Sequence, residues 1–338
     1  MSERTESPWS LFPILGYSPE TSAMFGAGVV YTFHAEDERP GAKRSAIALM
    51  SAYTFENQFF VAIAPSVYWG AEAWHAEGEL SGTHFPNRFY PVGNATSADR
   101  VEDYVDTGFA ARGALTRRLA GSFRTGAQAG VFLSNVTDKQ PGGDLDRDRV
   151  RGSDGGRLVG FGPVMLWDDR DNDFAARKGG RYSLTAAHFA GPWGSQFDLS
   201  KYELDLRQFV PLGGEHVLAA QLYGEANLGS VPFQLMATLG GANMMRGYFE
   251  GRYRDSHLLA AQLEYRFPLF WRFGAAVFAS AGDVAHELDD FRFQELKTAG
   301  GAGLRFSLNQ ADRVNLRFDA AGTASGEVNF YITLGEAF

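Results

Sequence analysis

The feature that most constrains this chain is a strict period of two, held over runs longer than soluble strands usually reach. In 258–267, Leu259, Ala261, Leu263, Tyr265 and Phe267 share one face, while Gln262, Glu264 and Arg266 share the other. In 313–320, Val314, Leu316, Phe318 and Ala320 oppose Arg313, Asn315, Arg317 and Asp319. Segments 201–207 and 304–308 repeat the pattern. Period two puts alternate side chains on opposite faces of a strand, not on one stripe of a helix. Soluble strands average about 5–6 residues; these run to about ten or more, the length that crosses a bilayer at a tilt. One face is apolar and aromatic, the other charged. That polarity predicts an all-β fold, an antiparallel transmembrane barrel with lipid outside and an ionised lumen.

Sixteen such strands can be placed: 8–18, 22–34, 44–54, 57–68, 72–82, 103–117, 121–134, 157–168, 180–190, 196–210, 216–228, 257–267, 272–283, 297–308, 313–322 and 328–338. An even number suits a single-chain bacterial barrel. With both chain ends periplasmic, the connections 83–102, 135–156, 229–256 and 284–296 fall outside and are long. The turns 69–71, 118–120, 211–215 and 268–271 fall inside and are short. Connections 35–43 and 169–179 are longer than that rule expects. Phe267, Phe270, Trp271 and Phe273 suit an aromatic girdle at a short turn. In the last strand Phe330, Ile332, Leu334 and Phe338 are expected on one outward face, interrupted by Glu336.

Composition narrows the function classes. Of 338 residues 14 % are aromatic and 45 % hydrophobic, which excludes a disordered chain. The chain has no cysteine, so disulfide scaffolds and thiolate metal sites are excluded. A net charge of −9 without a basic block gives no nucleic-acid footprint. No apolar run is long enough for a transmembrane helix. The first residues lack the basic and apolar regions of a signal peptide, so a leader is expected to have been removed already. Asp144, Asp146 and Asp148 alternate as in a calcium loop, but the loop lacks the glycine and glutamate such a site needs. No cofactor or metal is expected. No histidine pair, G-x-S-x-G or phosphate loop points to an enzyme.

Several segments together carry a resemblance. Residues 240–255, GGANMMRGYFEGRYRD, place Arg246, Gly247 and Tyr248 in the long loop before strand twelve. Gln262 to Pro268 (QLEYRFP) and Phe278 to Gly282 (FASAG) follow it. Trp167 to Asn172 (WDDRDN) and Gly16 to Thr21 (GYSPET) precede it. This arrangement resembles the BamA/TamA superfamily of bacterial surface antigen barrels over nearly the whole chain. The Arg-Gly-Tyr core matches that family's sixth extracellular loop. The family's D-x-R-D element falls on Asp168, Arg170 and Asp171. The family also places an aspartate on strand thirteen; here that position is Ser280.

The resemblance implies a Gram-negative outer-membrane barrel with loop six folded into the lumen. It implies work in membrane-protein assembly, protein translocation or lipid transfer. Residues 1–338 are expected to form one barrel domain without POTRA domains. The partners implied are outer-membrane lipid, client outer-membrane proteins, and a periplasmic or membrane partner standing in for POTRA function. Arg246 is expected to pair with Glu264 in bidentate fashion, with the Ser280 hydroxyl completing its shell, since a desolvated guanidinium needs acceptors. From the residues alone it fits a solvated loop arginine as well. Asp168, Arg170 and Asp171 read as a register-fixing turn or as a solvated charged turn, in neither case catalytic. Pro13 cannot donate to a ladder and Gly335 permits a kink. With Phe338 they mark a seam between first and last strands, open to reading as a lateral gate or as imperfect closure. A passive porin or a scaffolding barrel is the alternative function.

Overall fold

The computed structural model describes residues 7–35 and 43–338. The extreme N-terminal residues 1–6, read above for a leader, lie outside them, as does most of connection 35–43. The strands are β1 (Trp9–Ser18), β2 (Ser22–Phe33), β3 (Ser45–Thr54), β4 (Phe59–Trp69), β5 (Trp74–Phe89), β6 (Glu102–Ala120), β7 (Phe123–Thr137), β8 (Gly155–Asp168), β9 (Gly179–Phe189), β10 (Leu199–Gly213), β11 (His216–Gly229), β12 (Ala237–Leu239), β13 (Tyr253–Asp255), β14 (His257–Phe270), β15 (Phe273–Ala285), β16 (Lys297–Asn309), β17 (Val314–Thr323) and β18 (Val328–Leu334). All but β12 and β13 close one antiparallel barrel of sixteen strands, with β18 returning to β1. The sequence-numbered strands twelve and thirteen are therefore β14 and β15. β12 and β13 pair with each other inside loop six, and each is too short to show a period. No helix among the described residues is long and apolar enough to cross a membrane, which says nothing of strands.

Closure leaves no free edge away from the β1–β18 junction, so backbone groups in the apolar layer there pair within the sheet. Leu259, Leu263, Val277, Leu304 and Phe318 face outward, and the alternate positions Glu264, Arg266, Arg305 and Asp319 face inward. Phe270 and Trp271 protrude at the β14–β15 turn and pack with Phe273 and Phe306, forming part of a girdle. Connections at that end are short, as at 121–122, 214–215 and 271–272, while 90–101, 138–154 and 230–256 crowd the other end.

Three features depart from the sequence reading. β5 runs on to Phe89, seven residues beyond its expected end, because residues 85–89 keep their ladder with β6. The inner face is not ionised all round. β1 to β4 contain no Asp, Glu, Lys or Arg on either face. Their inner side chains form apolar rungs: Phe12, Gly28, Met50 and Ala62 in one, Ile14, Gly26, Ala52 and Phe60 in the next.

The third departure is at the last strand. β18 ends at Leu334, and Gly335 adopts φ 81°, a left-handed turn that favours glycine. The chain then leaves the wall and enters the lumen. Phe338 therefore does not join Phe330 and Leu334 on the lipid side. It is 6 % exposed and packs with Ala176, Phe209, Val217 and Ala219.

Candidate functional site

Loop six reaches the inner wall through a chain of left-handed residues. Gly240, Gly241, Met245 and Gly247 all have positive φ. Gly247 matters most. At φ 116° a side chain would be strained, and a Cβ there would lie 3.1 Å from Thr323. Its N–H donates to the Tyr331 hydroxyl at 2.9 Å, and its carbonyl accepts from Asn329 Nδ2 at 2.6 Å. The Tyr248 hydroxyl donates to the Thr298 carbonyl at 3.2 Å. The loop is thus fastened to β16 and to β18.

This places Arg246, 1 % exposed, against the inner face of β14 to β17. Its Nη2 donates to Glu264 Oε2 at 2.7 Å and its Nη1 to Asp319 Oδ2 at 2.6 Å. The guanidinium lies 3.5 Å from the Phe278 ring centroid. The pairing divides between two carboxylates instead of gripping Glu264 with both nitrogens. Ser280 is not an Arg246 partner: its hydroxyl donates to the Ala299 carbonyl at 3.4 Å. The register explains why. Phe278, not Ser280, stands opposite Glu264, and its ring occupies the space beneath the guanidinium.

The surrounding cluster alternates in sign. Arg266 Nε donates to Glu264 Oε1 at 2.7 Å, and Arg305 Nη1 to Asp319 Oδ1 at 2.6 Å. Arg305 Nε reaches Glu336 Oε2 at 2.7 Å. Arg317 Nε donates to Thr333 Oγ1 at 2.7 Å and lies 3.5 Å from Asp319. Four guanidiniums thus share three carboxylates, and both oxygens of Glu264 and of Asp319 are engaged. Such charges persist away from water only when paired and hydrogen-bonded. β16 makes the room: a Cβ on Gly303 would lie 1.9 Å from Asp319 Oδ1, and one on Gly301 2.7 Å from the Phe278 ring. Gly303→Ala is therefore expected to displace Asp319 and lower the unfolding midpoint in denaturant, whereas Gly224→Ala, whose Cβ would meet nothing nearer than Leu259 Cδ1 at 4.0 Å, should leave the midpoint unaltered.

The Asp168, Arg170 and Asp171 turn has two parts. Arg170 grips Asp168 with Nε at 2.9 Å and Nη2 at 2.8 Å. Asp171 accepts from the Arg177 and Lys178 N–H groups and, at 2.7 Å, from Arg313 Nη1 in the β16–β17 turn. Connection 169–178 is long because it straps across the mouth of the barrel. Burial by itself would push the Asp171 carboxyl up from 3.8; Arg313 and the two N–H groups outweigh it and hold it lower. A depressed folded value means the strap stabilises above the ordinary aspartate range and lets go as pH falls through the lower folded value. Asp171→Ala should cost about 1–3 kcal/mol, read as a lower temperature for loss of the folded, heat-modifiable gel band.

Pro13 and Gly335 lie at the closure. β1 pairs with β2 along its whole length, but with β18 at one position only, Tyr17 opposite Ile332. Extending that register would set Pro13 opposite Glu336, where β18 has already turned inward. The aspartates of 142–157 hold local contacts instead: Asp144 pairs with Arg100 and Arg149, and Asp148 accepts from Ser153.

The sequence matches the Omp85 superfamily domain over residues 45–338. The chain belongs to the Omp85 superfamily. The match spans most of the barrel, including loop six, the buried cluster and β18. A comparison with curated proteins gives no match. Among solved structures, this Omp85 barrel is similar to BamA from Haemophilus ducreyi lacking POTRA domains 1–3, at TM-score 0.65 and 12 % identity, covering 98 % of this chain and 70 % of that one. It is similar to CdiB from Escherichia coli, at TM-score 0.66 and 11 % identity, covering 98 % and 64 %. For CdiB from Acinetobacter baumannii the TM-score is 0.59 at 11 % identity, covering 96 % and 59 %. The chain thus spans 59 % to 70 % of the length of these structures. At such identities the likeness is one of fold. Family and fold together make this a bacterial outer-membrane β-barrel, in a superfamily of assembly factors and transporters rather than enzymes.

Asp319, Arg305, Glu336, Tyr331 and Asn329 were not singled out from sequence. Asp319 lies on the charged face of an alternating strand, but spacing alone does not say which inner carboxylate a distant loop arginine meets. Tyr331 is a polar-tipped aromatic set between Phe330 and Ile332, which is the available sign of its inward position.

Proposed function

We propose that this barrel passes amphipathic cargo, foremost unfolded outer-membrane polypeptide, between the periplasmic side and the bilayer through the β1–β18 seam. The observation that carries this reading is the single register pair at the seam beside a complete β17–β18 ladder. The two sides of the seam are also held differently. Loop six is fastened to Asn329 and Tyr331 of β18, whereas its contact near β1 is the Glu250 N–H on Glu20 Oε1 at 2.7 Å. Opening would therefore move β1 and β2 away from a fixed β18. Capture of cargo is assigned to a separate periplasmic or membrane partner.

A porin would need a clear lumen. Loop six fills one part of the interior, and the 169–178 strap meets the tail around Phe338 at the mouth. The test is reconstitution in vesicles with an unfolded outer-membrane protein as client. The proposal predicts faster client folding than in vesicles without the chain, and small flickering currents. Unaccelerated folding together with a large steady conductance would overturn it in favour of the porin.

A further inference from the structure

The uncharged inner wall of β1 to β4 is unexplained by a water-filled lumen. Apolar surface in contact with water is unfavourable, and a contiguous apolar patch marks an interaction site. Phe12, Met50 and Phe60 on this wall are half-buried, and none belongs to a packed hydrophobic cluster of the described residues. Loop six and the ionised network are anchored on the adjoining strands β14 to β18, across the seam from this wall.

Two further observations say what would cover the wall. Below the Tyr17–Ile332 pair the seam is unpaired, so the apolar inner surface is continuous there with the apolar outer surface of β1. At the short-turn end, cations gather at the foot of the wall. Arg124 lies 5.7 Å and Lys43 Nζ 5.8 Å from the Tyr68 ring centroid, with Arg118 3.6 Å from Glu72. Glu77 is the other carboxylate nearby, acting on Tyr68 together with Asp173, which Arg170 engages. Arg124 Nη2 donates to the Glu72 carbonyl at 2.6 Å, but its buried Nη1 has no hydrogen-bond partner among the described residues.

We propose that the inner face of β1 to β4 binds the acyl chains of a glycerophospholipid, with its phosphate at Arg124 and Lys43. The position of the cations selects the lipid. At the short-turn, periplasmic end they stand level with the headgroups of the inner leaflet, whereas an outer-leaflet lipid would present its phosphates at the opposite end. Apolar chains cover the rungs, and the phosphate supplies the acceptor that Arg124 Nη1 lacks. The inference rests on the seam being the portal by which a lipid enters.

The chain has no cysteine, so single labels are unambiguous. Met50→Cys on the inner wall, Leu49→Cys on the lipid side and Ala110→Cys on the inner face of β6 would each carry a bimane label in phosphatidylethanolamine–phosphatidylglycerol vesicles. The Ala110 label measures quenching through the wall alone. Heat-modifiable gel mobility confirms folding of each variant. Dibrominated-acyl phosphatidylglycerol should quench the Met50 label as strongly as the Leu49 label and beyond the Ala110 label, and iodide should quench it weakly. Arg124→Ala should raise roughly ten-fold the brominated fraction needed for half-quenching at Met50, the loss of one charge-assisted contact.

Strong iodide quenching at Met50, or quenching no greater than at Ala110, would overturn the site. So would protection from both quenchers, which is what a bound polypeptide would give. If the chain still accelerates client folding in those cases, the portal stands and the lipid site falls. If both readouts fail, the portal falls with it.

Discussion

Asp319→Ala is expected to destabilise the barrel more than Arg246→Ala. Asp319 accepts from Arg246 and Arg305 at 2.6 Å each, with Arg317 at 3.5 Å. Its removal leaves three buried guanidiniums with Glu264 and Glu336 between them and Arg266. Breaking a buried pair by deleting one partner costs about 3–5 kcal/mol, because the remaining charge is left desolvated. Arg246→Ala removes one cation from a cluster that holds an excess of one, and Glu264 and Asp319 each keep another arginine. Its cost should fall nearer 1–3 kcal/mol. Denaturant unfolding of the reconstituted barrel gives both values. The double variant should lose less than the sum, since the two residues share one bond. Equal losses for the single variants with strict additivity would show that Asp319 does not hold the loop.

Gly335→Val should have the larger effect on activity. At φ 81° a β-branched residue is strongly disfavoured. The tail can then no longer turn inward at that point, and β18 continues along β1. Glu336 would leave Arg305 and Asn315, and Phe338 would leave Phe209 and Arg266. The seam would gain the ladder that it lacks below Tyr17. Client folding should slow severely, while gel mobility still reports a closed barrel. Unchanged activity with the tail demonstrably outside the lumen would separate the kink from function.

The barrel was legible because β10, β14 and β17 face hydrocarbon on one side and ionised groups on the other, which imposes the period of two. That signal is missing in β1 to β4, where both faces are apolar. There the strands could be placed from turns such as 19–21, but the character of the inner wall could not. Arg246 and Glu264 could be paired because the loop and the next strand are close in sequence. Asp319 lies 73 residues from Arg246, and only the closed ladder brings β17 to the loop. Gly335 was visible as a place to bend. No neighbouring residue type sets the direction of the bend, so the alternation of β18 extends on paper to Phe338, which lies inside.

Opening at the seam is tested most directly by closing it. Tyr17→Cys with Ile332→Cys joins the one pair of residues that face each other across β1 and β18, in a chain with no other cysteine. Oxidation should abolish client folding in vesicles, and reduction should restore it in the same sample. Full activity in the oxidised barrel, with the crosslink verified by mass, would contradict the account.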